Sequence, residues 1–313
     1  MAVDVEQFRK ERIYRAQAPC TQVSEELQHL GDLDRVHEKK ELRTHSVGVL
    51  SMIGSLPVGF IGLAMSDEES GPSLLLWMGV LMFFGGLVSF LMSKRYKRLN
   101  LENRRYELAS RVVGLLRADM APEEPVTLEL DLREDSHPDK YQNESRTPSG
   151  WKVRHYLDPW LSLQARLLDG THLRLEMTER LQLRSRTKTN ARGKTKYQNK
   201  RLSDAFLRVR LRVKPERYQH LGRIGSRAQG AVQVMTGTQL EDLTVEADRV
   251  DMTLYLGNPW SAGNEPRPNP ETRSTGPTPL NGQRVVATAL LSLYQILNLS
   301  RALDKKAVHS RAG

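Results

Sequence analysis

A strongly cationic segment is the clearest candidate for chemistry in this chain of 313 residues. From Arg184 to Arg201 the sequence RSRTKTNARGKTKYQNKR contains eight Lys or Arg residues and no Asp or Glu. The order Asn-Ala-Arg-Gly in its middle is typical of a hairpin turn. Because strand residues two apart share a face, a hairpin here would align the even-numbered cations Arg184, Arg186, Lys188, Lys194 and Lys196. We call Arg184–Arg201 the basic finger.

A second group of cations continues this pattern on the following segment, FLRVRLRVK. Arg208, Arg210 and Arg212 alternate there with apolar residues, so they should face away from the core. With a net charge of +10, the chain is expected to meet anionic lipid headgroups or an acidic protein partner, unless these cations only keep the surface soluble. Nucleic acid is disfavoured because Tyr197 alone interrupts the finger, and stacking platforms use several aromatic residues.

Residues that could support catalysis or bind a metal ion do not form a recognisable pattern. The histidines are scattered, and none has a Cys or carboxylate partner at metal-ligand spacing. The glycine-containing segment GSRAQG at residues 225–230 does not lie between a predicted strand and a helix, where a phosphate-binding loop would be. We therefore predict that the chain is not an enzyme and needs neither a cofactor nor a metal.

Two apolar segments indicate that the chain crosses a membrane twice. Residues 46–65 and 73–92 contain no Asp, Glu, Lys, Arg or His. Each is about 20 residues long, which matches a hydrocarbon core of about 30 Å. The short acidic link SDEESGP between them suits a tight helical hairpin. Residues 46–92 are therefore predicted to form a transmembrane helical hairpin.

The charged flanks of this hairpin predict its direction. Both outer ends are cationic: Arg35, Lys39, Lys40 and Arg43 precede the first span, and Lys94, Arg95, Lys97 and Arg98 follow the second. Cationic flanks remain on the cytoplasmic side. We expect an integral protein of a bacterial inner membrane or its equivalent, with both termini cytoplasmic. The first 20 residues lack the apolar core of a signal peptide.

Small residues within the spans predict close helix packing. Ser51, Ser55 and Gly59 are four residues apart on the first span, and Gly85 and Ser89 are four apart on the second. Such spacing allows two helix backbones to approach closely. The contact can form within the hairpin or between copies of the chain, and we expect a homo-oligomer.

Helices are also predicted on both sides of the hairpin. Residues 1–45 would form an N-terminal arm and a pre-membrane helix, and residues 93–121 a post-membrane helix with an apolar stripe. Because both leave the bilayer on the same side, they should pair as an antiparallel stalk.

The hydrophobic period changes to two beyond the stalk, so residues 125–257 are predicted to form an antiparallel, sandwich-like β domain. Asp169-Gly170 lies between two alternating segments and predicts a β-hairpin. The segments WKVRHYL and LSLQARL are predicted as separate strands, with a turn at Asp158-Pro159 between them.

The C-terminal region is predicted to contain a linker and one more helix. Residues 258–282 are rich in Pro, Gly, Ser and Thr, which is typical of a linker. Residues 283–308 form an amphipathic helix in this prediction. That helix could dock on the β domain, lie at an interface or on a partner, or form a short third span.

These patterns together predict an α+β membrane protein, in which a transmembrane hairpin and helical stalk hold a cytoplasmic β domain. The leading hypothesis for its function is a non-catalytic scaffold or interaction module with a basic surface. The alternative is a homo-oligomeric pore-forming or membrane-disrupting effector, with the β domain as its sensor.

Overall fold

The computed structural model describes residues 8, 11–66, 72–97, 101–189, 192–263 and 279–312. These residues divide into two compact units. The sheet unit joins the residues up to Gln28 with those from Arg104 onward, and the helical unit is His29–Asn103. The centre of the predicted linker, most of the acidic link between the spans, and Asn190 and Ala191 of the basic finger lie outside the described residues.

Two long helices contain the predicted membrane spans. Helix α1 is Cys20–Ala64, so the predicted pre-membrane helix and first span form one uninterrupted helix that includes Pro57. Helix α2 is Leu74–Lys97 and contains the second span. Both helices are long and apolar enough to cross a membrane, by length and composition.

The segments that flank the hairpin pair with each other inside the helical unit. The backbone N–H of Leu101 donates to the Asp34 carboxylate at 2.9 Å, and the Asn103 amide donates to Glu38 at 3.0 Å. The predicted continuous helix 93–121 is wrong, however, because α2 ends at Lys97 and α3 covers Asn103–Leu116, followed by a short 3₁₀ turn. In a continuous helix the Leu101 N–H would donate to a backbone carbonyl of the preceding turn, but here it donates to Asp34.

The sheet unit is built on one eight-stranded sheet in which every neighbouring pair is antiparallel. Its order is β1-β2-β4-β5-β6-β8-β7, and β3 pairs with β4 beside this path. The strands are β1 Ile13–Pro19, β2 Pro125–Asp131, β3 Tyr141–Arg146, β4 Lys152–Arg166, β5 His172–Thr189, β6 Thr195–Arg212, β7 Gln239–Val245 and β8 Arg249–Tyr255. A separate parallel ladder joins β9 Trp260–Ser261 to β10 Leu280–Asn281. The predicted hairpin at Asp169-Gly170 is confirmed, and Gly170 adopts a φ of +82° there.

The first strand lies in a segment that the sequence analysis assigned to a non-sheet arm. Strand β1 pairs with β2 from Ile13 opposite Asp131 to Pro19 opposite Pro125. The side chain of Tyr14 is buried, and its hydroxyl donates to Glu26 at 2.8 Å. The sheet unit therefore extends beyond the predicted limits 125–257 at its N-terminal side, and the hairpin is inserted between its first two strands.

A helical layer, rather than a second sheet, covers the apolar face, so the predicted sandwich-like arrangement is not found. Helix α5, Gly282–Ala312, contacts β6 and β8 and a short helix α4, Gly225–Ala231. Val286 and Leu293 of α5 have no exposed surface, and neither do Leu175 and Val209 of the sheet. Because apolar and polar residues alternate along the strands, the sheet has one apolar face that must be buried. The apolar sides of the amphipathic helices α3 and α5 pack on that face. Of the three arrangements considered for the C-terminal helix, the structure has it docked on its own sheet unit.

Candidate functional site

The basic finger is the outer part of the long hairpin formed by β5 and β6. These strands pair without interruption from His172 opposite Arg212 to Thr189 opposite Thr195. Strand β4 pairs with β5 only as far as Ser185, and β8 reaches only residues 206–212 of β6. Within the described residues, 186–189 and 195–198 therefore pair only with one another and form a two-stranded ribbon beyond the rest of the sheet.

The register places most of the predicted finger cations on one face. Residues directly opposite each other in an antiparallel pair share a face. Arg184 lies opposite Lys200, Arg186 opposite Gln198 and Lys188 opposite Lys196. Lys194 precedes the first residue of β6 and belongs to the turn. Lys200, which the sequence analysis did not select, completes a set of five cations that we call the cationic face: Arg184, Arg186, Lys188, Lys196 and Lys200.

The two arginines of the cationic face keep their positive charge because their hydrogen-bond partners are neutral. Arg184 donates to the Gln182 side-chain oxygen at 2.7 Å, and Arg186 donates to that of Gln198 at 2.6 Å. The Arg186 guanidinium also lies 4.4 Å from the centroid of the Trp151 ring, and the Lys200 ammonium lies 5.4 Å from it. An indole face attracts cations without neutralising them. Trp151 therefore fixes the base of the finger, a role that its position in the sequence did not indicate.

The three predicted arginines on β6 share this sheet face but pair with acids. Arg208 and Arg210 bind the carboxylate of Asp251 at 2.6 and 2.7 Å, and Arg212 lies 3.6 Å from Asp248. Burial acts to raise the pKa of Asp251, but hydrogen bonds from Arg208 and Arg210 outweigh it and hold that pKa below its ordinary value. Arg210 is opposite Arg174, which lies about 40 Å along β5 from Arg186. The structure therefore does not join these arginines to the cationic face.

A group of charged residues that the sequence analysis missed lies in the core of the sheet unit. Arg105, in the first turn of α3, has no exposed surface and donates to Asp158 at 2.7 Å and to Glu179 at 2.6 Å. Lys140 lies 2.8 Å from the second Asp158 oxygen, and the Trp260 indole donates to Glu179 at 2.9 Å. Burial raises the pKa of Asp158, and Arg105 and Lys140 oppose that effect. We call Arg105, Lys140, Asp158 and Glu179 the buried ion cluster.

A bulge in β4 explains why this cluster was missed. Asp158-Pro159 was predicted as a turn between two strands, but it lies inside the single strand Lys152–Arg166. The register shifts between Asp158 and Leu161, so Trp160 and Leu161 are both buried although they are adjacent. Bulges re-aim side chains in this way. Since Arg105, Asp158 and Glu179 have no exposed surface, the cluster serves to fix α3 to β4 and β5 and offers no surface to a ligand.

Four of the five small residues predicted to pack in the membrane lie in the contact between α1 and α2. Ser51 donates to the Met82 carbonyl at 2.7 Å, and Ser89 donates to that of Thr44 at 3.0 Å. A Cβ atom added to Gly79 would lie 2.8 Å from Gly59 and 3.3 Å from the Ser55 carbonyl oxygen. The fifth, Gly85, has no atom within 4 Å of its Cβ position. The structure thus uses these residues within the hairpin.

Substitution at Gly79 should therefore be costly, and the same substitution at Gly85 should not. Gly79→Ile forces α1 and α2 apart, and overpacking of this kind costs about 1–3 kcal/mol. We expect the melting temperature of the full chain in mild detergent to fall by several degrees. Gly85→Ile is the matched control and should remain close to the parent protein. Equal melting temperatures for the two variants would contradict the observed helix contact.

Comparison with known proteins does not assign a function, because no family model, curated protein or solved structure matches this chain. Of the surfaces described above, the cationic face combines five aligned cations with arginines whose hydrogen-bond partners are neutral. It can therefore attract an anion without first breaking an ion pair.

Proposed function

We propose that this chain is a non-catalytic, membrane-anchored interaction module whose basic finger contacts anionic lipid headgroups. The observation that carries the proposal is the cationic face, where five cations share one side of the β5–β6 hairpin and the two arginines have neutral hydrogen-bond partners. A Lys or Arg near an anionic membrane surface contributes about 1 kcal/mol. Five such residues can hold the sheet unit in a preferred orientation at the bilayer.

The position of the hairpin in the fold supports the proposed anchorage. Strand β1 precedes the hairpin and β2 follows it, yet the two strands pair along seven residues each. A chain that crosses the bilayer between two paired strands must return to the side from which it left. Two spans satisfy this requirement, and the cationic flanks of the hairpin favour the cytoplasm as that side.

The docked C-terminal helix is consistent with the same arrangement. Helix α5 is also long and apolar enough to span a membrane, but half of its most apolar stretch is buried within the protein. Its Ser292 hydroxyl donates to the Gln233 carbonyl at 2.8 Å. We therefore propose that α1 and α2 alone serve as spans, which leaves both termini on one side.

Tethering favours lipid over other anionic partners. A domain held by two membrane helices experiences a high effective concentration of headgroups, so weak contacts suffice. The aromatic residue of the ribbon, Tyr197, is 78% exposed but lies on the face opposite the cations, where it could not stack on a ligand bound to them. The proposed role of the finger is to orient the sheet unit, since the hairpin already provides anchorage.

Energy transfer from the finger to the bilayer tests this proposal. The full chain carries a fluorophore on Tyr197→Cys and is placed in nanodiscs with acceptor-labelled lipids. We expect transfer to increase when neutral lipids are replaced by anionic ones. It should decrease again with salt, because the Debye length falls from about 10 Å at 0.1 M to about 3 Å at 1 M.

The control variants distinguish an effect of the finger cations from an effect of the protein's net charge. Reversal of Arg184, Arg186, Lys188, Lys194 and Lys196 to Glu should abolish the response to anionic lipid. Reversal of Arg223 and Arg227, which are exposed on another part of the sheet unit, should leave it unchanged. A parent protein that gives the same transfer in neutral and anionic nanodiscs would exclude lipid as the partner and favour an acidic protein.

A further inference from the structure

A groove with a volume of about 1000 Å³ crosses the exposed sheet face at the end of the β5–β6 hairpin opposite the finger. Side chains from β1, β2, β4, β5 and β6 and from the segment after β6 line it. Small-molecule sites typically have volumes of about 300–1000 Å³. The groove therefore has room for a ligand larger than a single phosphate ion.

One row of the groove aligns hydrogen-bonding groups across five strands. Gln17 lies opposite Thr127, Thr127 opposite Gln164, Gln164 opposite Arg174, and Arg174 opposite Arg210. The two guanidinium groups of this row have acidic partners, at 2.8 Å between Arg174 and Glu176 and at 2.7 Å between Arg210 and Asp251. The amides and the hydroxyl are exposed on the sheet surface. This row can recognise hydroxyl groups of a ligand.

The neighbouring row aligns a histidine between two arginines. Arg166 lies opposite His172, and His172 lies opposite Arg212. In the described part of the chain, Arg166, His172 and Lys214 have no carboxylate partner, although all three line the groove. These three side chains can therefore contact an anion without first breaking an ion pair.

We propose that this groove binds a phosphorylated polyol. Guanidinium groups match phosphate oxygens in geometry and charge, so the phosphate would lie on Arg166, with His172 and Lys214 as the other groove residues that have no carboxylate partner among the described residues. The hydroxyl groups would bind to the amides of Gln17 and Gln164. They would also bind to the carboxylates of Glu124 and Glu216, which line the groove as well. A soluble sugar phosphate and a lipid headgroup share this chemistry.

Calorimetric titration of the full chain in neutral nanodiscs tests the site. The finger-reversed variant serves as the parent, so that binding to the finger cannot contribute. Inositol trisphosphate should bind, whereas unphosphorylated inositol should bind at least about tenfold more weakly, since it cannot form the charge-assisted hydrogen bonds. Arg166→Gln should weaken binding of the trisphosphate by about tenfold or more. Arg180→Gln removes an exposed arginine outside the groove and should change the affinity less than twofold.

Stability of the free protein gives an independent readout. Because Arg166 has no carboxylate partner in the described part of the chain, Arg166→Gln breaks no ion pair, and its melting temperature without ligand should stay close to that of the parent. Competition between the soluble trisphosphate and a phosphatidylinositol phosphate in the nanodisc would indicate a headgroup ligand, and binding of the soluble form alone a free one. Absence of trisphosphate binding, or unchanged affinity in Arg166→Gln, would overturn the proposal.

Discussion

Replacing Arg105 with Met should lower the free energy of unfolding by about 3–5 kcal/mol, because the change leaves buried carboxylates without their shared cation. Arg105 donates to both Asp158 and Glu179, and none of the three has exposed surface. In the variant Lys140 still pairs with Asp158 and Arg104 still pairs with Glu179, so the loss comes from the buried guanidinium that bridges the two carboxylates. Chemical denaturation of the full chain in mild detergent, followed by tryptophan fluorescence, measures this effect.

A double variant distinguishes a charge effect from a packing effect. Arg105→Met combined with Glu179→Gln removes one charge of each sign and should recover part of the lost stability. Arg15→Met is the matched control, because its ion pair with Glu129 is exposed and should contribute about 1 kcal/mol or less. If Arg105→Met and Arg15→Met had similar effects, the buried ion cluster would not stabilise the fold.

Replacing Leu293 with Asp should cost at least about 4 kcal/mol, through lost apolar burial and an unpaired buried carboxylate. Leu293 has no exposed surface in the layer that α5 forms over the sheet. The expected result is detachment of α5 and a strongly lowered melting temperature of the full chain. Limited proteolysis should then cut within α5, which the parent protein protects.

Leu291 provides a control on the same helix, because its side chain is 61% exposed. Leu291→Asp should change the free energy of unfolding by no more than about 0.5 kcal/mol. A helix that spanned the bilayer would respond to both substitutions, since a carboxylate is costly on either side of a lipid-embedded helix. Similar losses for the two variants would therefore contradict docking of α5 on the sheet unit.

Local patterns in the sequence predicted the elements that depend on local physics. The uncharged segments predicted the apolar parts of α1 and α2. The alternation of apolar residues predicted the buried sides of β2, β5, β6 and β8. The even numbering of Arg184, Arg186 and Lys188 also predicted that they share a face. The prediction holds because a continuous antiparallel ladder preserves the period of two over its whole length.

Features that depend on distant partners could not be predicted in the same way. Strand β1 is short and weakly alternating, and its partner β2 begins more than 100 residues later. The buried ion cluster joins α3 to β4 and β5, and Asp158 enters it only because a bulge shifts the register. The pairing of Arg208 and Arg210 with Asp251 likewise follows from the contact between β6 and β8. None of these contacts is encoded in a local spacing.

The most direct test of membrane anchorage is labelling of engineered cysteines in intact bacterial cells with a membrane-impermeant maleimide. The native Cys20 gives little background, because its side chain is 6% exposed and burial raises its pKa. We expect Glu68→Cys, in the acidic link between the spans, to react from outside. Tyr197→Cys in the basic finger and Gly313→Cys at the C-terminus should react only after the membrane is opened. Labelling of Tyr197→Cys in intact cells would place the finger outside and contradict the proposed topology.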